Sequence, residues 1–437
     1  MLIQLKPLSY KVVLLSMVVG LLGSTIALAA SGDLDTTFDG DGLVTSFAVP
    51  TNPGRNDVAH AIAIQADGKI VAAGYSYVPS TSTRDFAVLR YNANGTLDTT
   101  FSGDGRLVTN LGAGDQAFEV AIQPNGKIVT SGQICFGDGA ICDVALVRYN
   151  AGGALDTTFS GDGKQTSDFG GSDNGSFGGL AIQSNGKIVV AGYMWNGTNY
   201  DFAVYRYLSS GSLDTTFSGD GKVSIGFGAG RQDFANDLVV QSDGKIVVIG
   251  YTGDANYSNN NFAVARLNAG GSLDTTFSAD GKVATNFGAD EYGTGVDLQL
   301  DGKIVVAGEK STTIASFALA RYNTDGSLDT TFNATGRKVI SFSTSNSWAN
   351  DVHVQSDGKI VTSGADTLAL GDFALVRLNS NGTFDSTFSG DGKVRVDFGN
   401  DDFCVAFAIQ PSDGSYVLGG IADVGGHDDF ALARVLP

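Results

Sequence analysis

Short phrases recur along the chain, each with an apolar pattern too brief for a helix. KIVVAG at 303–308 is a β-branched run ended by glycine. FALARYN at 317–323 is an apolar run that closes on polar residues. Both predict strands. With AIAIQ at 61–65 and GKVATNF at 281–287, the most economical unit has four antiparallel strands: A (AIAIQ), B (KIVVAG), C (FALARYN) and D (GKVATNF). The Asp-Gly or Asn-Gly before the lysine that opens strand B predicts a tight hairpin with both central residues at positive φ.

The unit repeats seven times. The strand A glutamine recurs as Gln65, Gln123, Gln183, Gln241, Gln299, Gln355 and Gln410, at spacings of 55 to 60 residues. The strand C arginine recurs as Arg90, Arg148, Arg206, Arg266, Arg321, Arg377 and Arg434. Between C and D stands LDTTF, at 34–38, 97–101, 155–159, 213–217, 273–277 and 328–332, with FDSTF at 384–388. Repeats of this length predict an all-β, seven-bladed β-propeller of four-stranded antiparallel blades. An open solenoid is the rival, but solenoids need polar caps, and the phase of the ends suggests closure instead. The first copy of LDTTF is followed by a D strand, GLVTSF at 42–47, whereas the chain stops after a C strand, FALARVLP. Residues 42–47 are therefore expected to complete the last blade and close the ring.

The alternation of GSLDTTFSGDGKV, AIQxDGKIVVAG and FALARYN resembles the delta-60 repeat family of bacterial β-propellers over residues 31 to 437. The resemblance implies an exported bacterial protein and no particular activity.

Residues 1–29 read as a secretory signal peptide: Lys6 and Lys11, an apolar run from Val12, then Ala27-Leu28-Ala29. A membrane anchor is the alternative, against which Gly20, Gly23, Ser24 and Thr25 interrupt the run. The rest, 30–437, is one propeller domain with no further stretch long enough to span a bilayer, so a secreted, cell-surface or periplasmic location is expected. The formal net charge of −19 becomes more negative without the leader, which disfavours nucleic acid and anionic membranes. In an exported protein Cys135 and Cys142, flanking FGDGAI, are disulfide candidates, while Cys404 reads as a buried thiol.

Chemical readings of the repeated phrase are weak. No Gly-Lys pair is followed by Ser or Thr, so no phosphate loop is present. SGDGK offers one carboxylate where a calcium loop alternates several, and only the first copy has two, Asp39 and Asp41. The structural reading is a ring of ion pairs, Arg90 with Asp98, Arg206 with Asp214 and their equivalents, each Asp also capping its turn. The three histidines are scattered; His60 and His353 fall in A strands and read as packing residues.

Candidate recognition lies on the other face. A–B and C–D turns share one face and barely vary, whereas B–C and D–A loops share the opposite face and differ in every blade. Tyr193, Trp195 and Tyr200 fall in or beside the third B–C loop, and Trp348 in the D–A loop entering blade six. Such aromatics suit sugar or protein contacts, or cover blade edges. Asp57, Asp115, Asp233, Glu291 and Asp402 each stand eight residues before the repeated glutamine. They read as turn caps by default, and otherwise as a channel-mouth ring able to attract a cation such as calcium. No cofactor is otherwise implied. The expectation is an exported, non-catalytic scaffold binding an extracellular or surface protein or a glycan through its variable face. The alternative is a propeller hydrolase or lyase with an acidic, cation-assisted site at the channel mouth.

Overall fold

A computed structural model describes residues 29–49, 56–78, 83–136, 141–169, 173–174, 179–342, 344–367 and 371–437. Residues 1–28 of the expected leader lie outside the described residues. Among the described residues the named elements are all strands, grouped in seven sheets, and no helix is long and apolar enough to cross a membrane. Blade 5 shows the plan: A (Asp290–Leu298), B (Ile304–Ser311), C (Ser316–Tyr322) and D (Arg337–Ile340) pair antiparallel in that order. In blade 3, strand A is in two pieces, Asp173–Asn174 and Leu180–Ile182.

The last blade draws on both ends of the chain. Asp402–Ile409, Tyr416–Asp423 and Asp428–Val435 supply A, B and C, and Leu43–Ser46 is the D strand. Leu43 stands opposite Ala433 and Ser46 opposite Phe430. The ring is closed as the phase of the repeats predicts.

The apolar core lies between blades, in seven clusters that each combine residues of two neighbours. The closing segment joins one of them through Phe38 and Val44, which pack with Ile70, Leu89 and Leu432. Burying each such side chain stabilises the ring by roughly 1.5–3 kcal/mol.

Two local features position the interior. In six of the blades strand A carries a β-bulge opposite the glycine of KIVVAG, as where Ala59 pairs with Gly74 but Ala61 with Ala73. A Cβ on Gly74 would meet the Val58 carbonyl at 1.8 Å, so only glycine admits the bulge. The inserted residue and those after it are thereby aimed at the central channel. The A–B hairpin differs from the expected turn. Gly68 has φ 84, but Asp67 is not left-handed. The Gly68 amide donates to Gln65 O (2.9 Å) and the Gln65 amide to Lys69 O (2.8 Å), a type I turn followed by a glycine bulge. Asp67 serves through its side chain, Oδ1 accepting the Lys69 amide at 3.2 Å.

Candidate functional site

On the uniform face, LDTTFSGDGK joins strands and blades. In blade 3, Asp214 Oδ1 accepts the Thr216 amide (3.1 Å) and hydroxyl (2.6 Å), while Oδ2 accepts Arg206 Nε (2.7 Å) and Lys187 Nζ (2.7 Å). Arg206 lies over Phe217, 4.5 Å from its centroid, and donates through Nη1 to the Ala269 carbonyl of blade 4. Ser218 is left-handed (φ 54), which sends its amide to Gly270 O of that blade at 2.9 Å. Arg90–Asp98, Arg148–Asp156, Arg266–Asp274, Arg321–Asp329 and Arg377–Asp385 repeat the pair at 2.6–2.8 Å. Arg434 and Asp35 complete the series across the two termini at 2.7 Å. Burial would raise these carboxyl pKa values, but threonine, arginine and lysine donors outweigh it. Asp98, Asp156, Asp214 and Asp274 are held below the usual carboxylate range, and Asp385 at about 2. The second acid of the phrase makes its own turn, as Asp220 Oδ1 does with the Lys222 amide (3.0 Å) and Asp41 Oδ1 with the Leu43 amide (2.9 Å).

Asp57, Asp115, Asp233, Glu291 and Asp402 are fully buried and bind backbone amides. Asp115 accepts Phe86 N–H from blade 1 (2.9 Å) and Leu111 N–H (2.9 Å), and Asp402 accepts Phe373 N–H (2.9 Å) and Phe398 N–H (3.0 Å). Asp57 takes the Ala48 amide (2.6 Å), Asp233 that of Phe227 (2.7 Å) and Glu291 that of Ala289 (2.8 Å). None of the five lines the central cavity. Burial raises Asp115 and Asp402 to about 7. Among the described residues, Asp372, Asp397 and Asp402 form a group that could hold a metal ion, with ligand atoms within 4.8 Å of one another. At the matching place between blades 1 and 2, Asn110 replaces the middle acid and donates to Asp85 at 2.8 Å.

The two tryptophans lie in strands, not in loops as expected, because the strands run past the repeated phrases. Trp195 is the last residue of Ile188–Trp195 and pairs with Tyr200. Trp348 lies in Ser347–Val354 opposite Ala365 and stacks on Phe403 at 6.0 Å, covering a blade edge. Trp195 begins a row of rings across blades 3 to 5. Trp195–Tyr200 (5.1 Å), Tyr200–Phe234 (5.2 Å), Phe234–Tyr251 (4.9 Å) and Tyr251–Tyr292 (4.9 Å) follow one another. Tyr193 meets Phe234 edge-on at 4.7 Å, and Tyr257, 55% exposed, stands 6.2 Å from Phe234. In blade 2, Cys135 and Cys142 are bonded across strands B and C, and Cys404 is a free buried thiol.

The row descends into a central cavity of about 590 Å³, reached through Tyr193, Phe234 and Tyr251 at the variable-face ends of their strands. The rest of the lining sets His60, Glu119, Asp237, Asp297, Asp351 and His353 among apolar side chains such as Ile62, Leu180, Val239, Val296 and Phe407. His60 and His353 line the channel, because the bulge turns strand A, and pack there as well, His60 against Phe118 (4.9 Å) and Tyr75 (5.6 Å) and His353 against Phe407 (4.7 Å). Asp237 spans two blades, accepting the Leu238 amide (2.7 Å) and the Val296 amide (2.8 Å). Asp351 accepts Val352 (2.7 Å) and Phe407 (3.2 Å) in the same way. His353 Nδ1 stands 3.6 Å from Asp297 Oδ2, and its Nε2 3.0 Å from the Phe407 carbonyl. Burial and the Asp351 charge raise Asp237 to about 8; burial with Asp237 and Asp351 holds Glu119 well above its ordinary value. His353 goes to about 9, because Asp351 and Asp297 outweigh its burial. His60 is neutral, burial and Arg84 lowering it to about 4. Sequence reasoning missed Glu119, Asp237, Asp297 and Asp351. The available signal was the polar residues inside apolar A strands, as in FANDLVV and WANDVHV.

A family model described as a domain of unknown function (DUF5122) beta-propeller matches residues 65–101, 123–159, 183–217, 241–277, 299–332 and 355–388. Each match runs from the repeated glutamine to the phenylalanine of LDTTF or its variant. These matches and the seven sheets agree on a chain of repeated β-propeller blades. None of the curated proteins matches it. Among solved structures, this propeller is similar to a protein of unknown function from Dyadobacter fermentans: 12% identity over 90% of this chain and 99% of that one, TM-score 0.50. It is also similar to an ulvan lyase of polysaccharide lyase family PL25 (10% identity, 93% and 94% coverage, TM-score 0.48). A third is the α-L-arabinofuranosidase Arb93A from Fusarium graminearum (9% identity, 90% and 97% coverage, TM-score 0.47). At these identities the likeness is one of fold alone.

Proposed function

We propose that the protein is an exported, non-catalytic binding propeller of the delta-60 repeat family that holds a glycan on its variable face. The supporting observation is the ring row from Trp195 to Tyr292, which borders a concave cavity instead of a flat patch. Aromatic faces beside polar groups suit the apolar faces and hydroxyls of sugars. Binding of the protein to a glycan panel tests this, with Trp195→Ala and Tyr251→Ala as variants. Saturable binding weakened about tenfold or more by either change supports it; binding unaffected by both overturns it.

A second reading, a hydrolase or lyase, is favoured by the channel, where Asp237 is held protonated to about pH 8 beside Asp351. A buried carboxyl group that keeps its proton to neutral pH, beside a second carboxyl group, is a candidate general acid. Release of reducing or unsaturated sugar ends, abolished in Asp237→Asn, would support it; binding without turnover would exclude it.

A further inference from the structure

The channel beneath the ring row has a charge balance of its own. Its lining carries Glu119, Asp237, Asp297 and Asp351, two histidines, and neither lysine nor arginine. Of the cations, His353 is already engaged by Asp297 and by the Phe407 carbonyl. His60 is neutral, and its buried Nε2 has no hydrogen-bond partner. Asp237 and Asp351 are oriented by backbone amides, which donate hydrogen bonds but carry no full positive charge. Among the described residues Glu119 accepts from the neighbouring Val120 amide. The cavity therefore holds four carboxyl groups and two histidines, of which only His353 supplies a counter-charge, and that one is already shared with Asp297.

A second feature of the same cavity selects the same ligand class independently. Tyr193, Phe234 and Tyr251 line its upper part, and ring faces attract cations through their quadrupole. A volume of about 590 Å³ falls in the range of sites for small organic molecules. Uronates and sulfated sugars would find buried carboxyl groups and neither lysine nor arginine to receive their charge.

We infer that the channel is a binding site for a small organic cation, a protonated amine on an apolar body, with Glu119, Asp237 and Asp351 as its counter-charge and Tyr193, Phe234 and Tyr251 as its wall. Such a ligand restores the ionised form of buried carboxyl groups, so its binding releases protons. The site deepens the proposed glycan reading, where it would favour an amine-bearing sugar over an acidic one, but it does not depend on it.

Titration calorimetry with phenethylammonium and its neutral isostere 2-phenylethanol tests the site in the unmodified protein. The expected result is saturable binding of the cation, about tenfold or more tighter than the alcohol at pH 8. The affinity should fall at pH 5, and heats should vary with buffer ionisation enthalpy in the sense of proton release. Glu119→Gln should weaken the cation about fivefold or more without lowering the melting temperature, since it keeps the side chain's shape and removes a buried ionisable group. Equal binding of cation and alcohol, affinity unchanged in Glu119→Gln, or no saturation by the cation would each overturn the inference. If phenethylammonium fails while glycans still bind in a Trp195-dependent way, the cation site alone falls. If it binds while the glycan panel is empty, the glycan reading alone falls.

Discussion

The two ends of the propeller use carboxylates in opposite ways. On the uniform face, seven aspartates sit beside seven arginines with nearly the same distances in every blade, and all seven are held below the usual carboxylate range, as Asp214 and Asp385 are. In the channel, no two blades carry the same set, and Asp237, Asp351 and Glu119 are pushed up by burial and by one another. Repetition accompanies satisfied charge, and variation accompanies unsatisfied charge. The first is what a scaffold needs, and the second is what a ligand can exploit.

The largest test of the contrast removes the closing segment. Deleting residues 31–47 takes away Asp35, Phe38 and the strand Leu43–Ser46, exposing the edge of Asp428–Val435. The truncated protein is expected to aggregate and to melt lower by on the order of 10 °C or more, read by light scattering and calorimetry. A monomer with unaltered melting would break the closure account.

Asp214→Ala follows. It leaves Arg206 buried without its carboxylate, at a cost of about 3–5 kcal/mol in denaturant unfolding. Asp156→Ala should match it within about 1 kcal/mol if the blades are equivalent. Glycan affinity should be untouched by either.

Reducing the Cys135–Cys142 bond, which closes a short loop on the variable face, should cost about 2 kcal/mol, measured by melting with and without reductant.

The smallest effect is the most diagnostic. Asp237, raised to about 8, and Asp115 and Asp402, raised to about 7, take up protons on folding. Their contribution is complete below about pH 4 and is lost as pH rises through 7 to 8. The arginine-paired acids contribute above about pH 4 and lose it as pH falls toward 2. Asp237→Asn should therefore flatten the alkaline side of the stability profile and leave the acid side alone. A parallel shift of the whole curve would contradict the assignment.

The division explains what the sequence disclosed. Blades were legible because LDTTF and KIVVAG recur, and FDSTF at 384–388 marks which atoms matter. Asp385 binds Thr387 and not Ser386, so the first threonine of the phrase is free to change. The closing strand was legible from phase alone. The channel was not, because His60, Phe118, Asn236, Thr294, Asn350 and Val405 occupy one structural position where only Asn236, Thr294 and Asn350 share a role, each donating to a carbonyl of the next blade. The bulge that aims them also shifts the alternation by which a strand is normally read. The five acids before the glutamines were seen but serve loops and neighbouring strands, a use that depends on contacts absent from linear order.

Joining Leu43 to Ala433 has a consequence in time. The strand that completes the last blade is among the first parts of the propeller to be synthesised, and its partner is among the last. At ordinary elongation rates the interval is on the order of 20–80 seconds. Through that interval the early strand has no native mate, and the seam stays open until the last blade is made. Ring closure is then the slow, long-range step of folding, and a chaperone that shields one short segment would control whether the chain ends as a monomer or exchanges that strand with a neighbour.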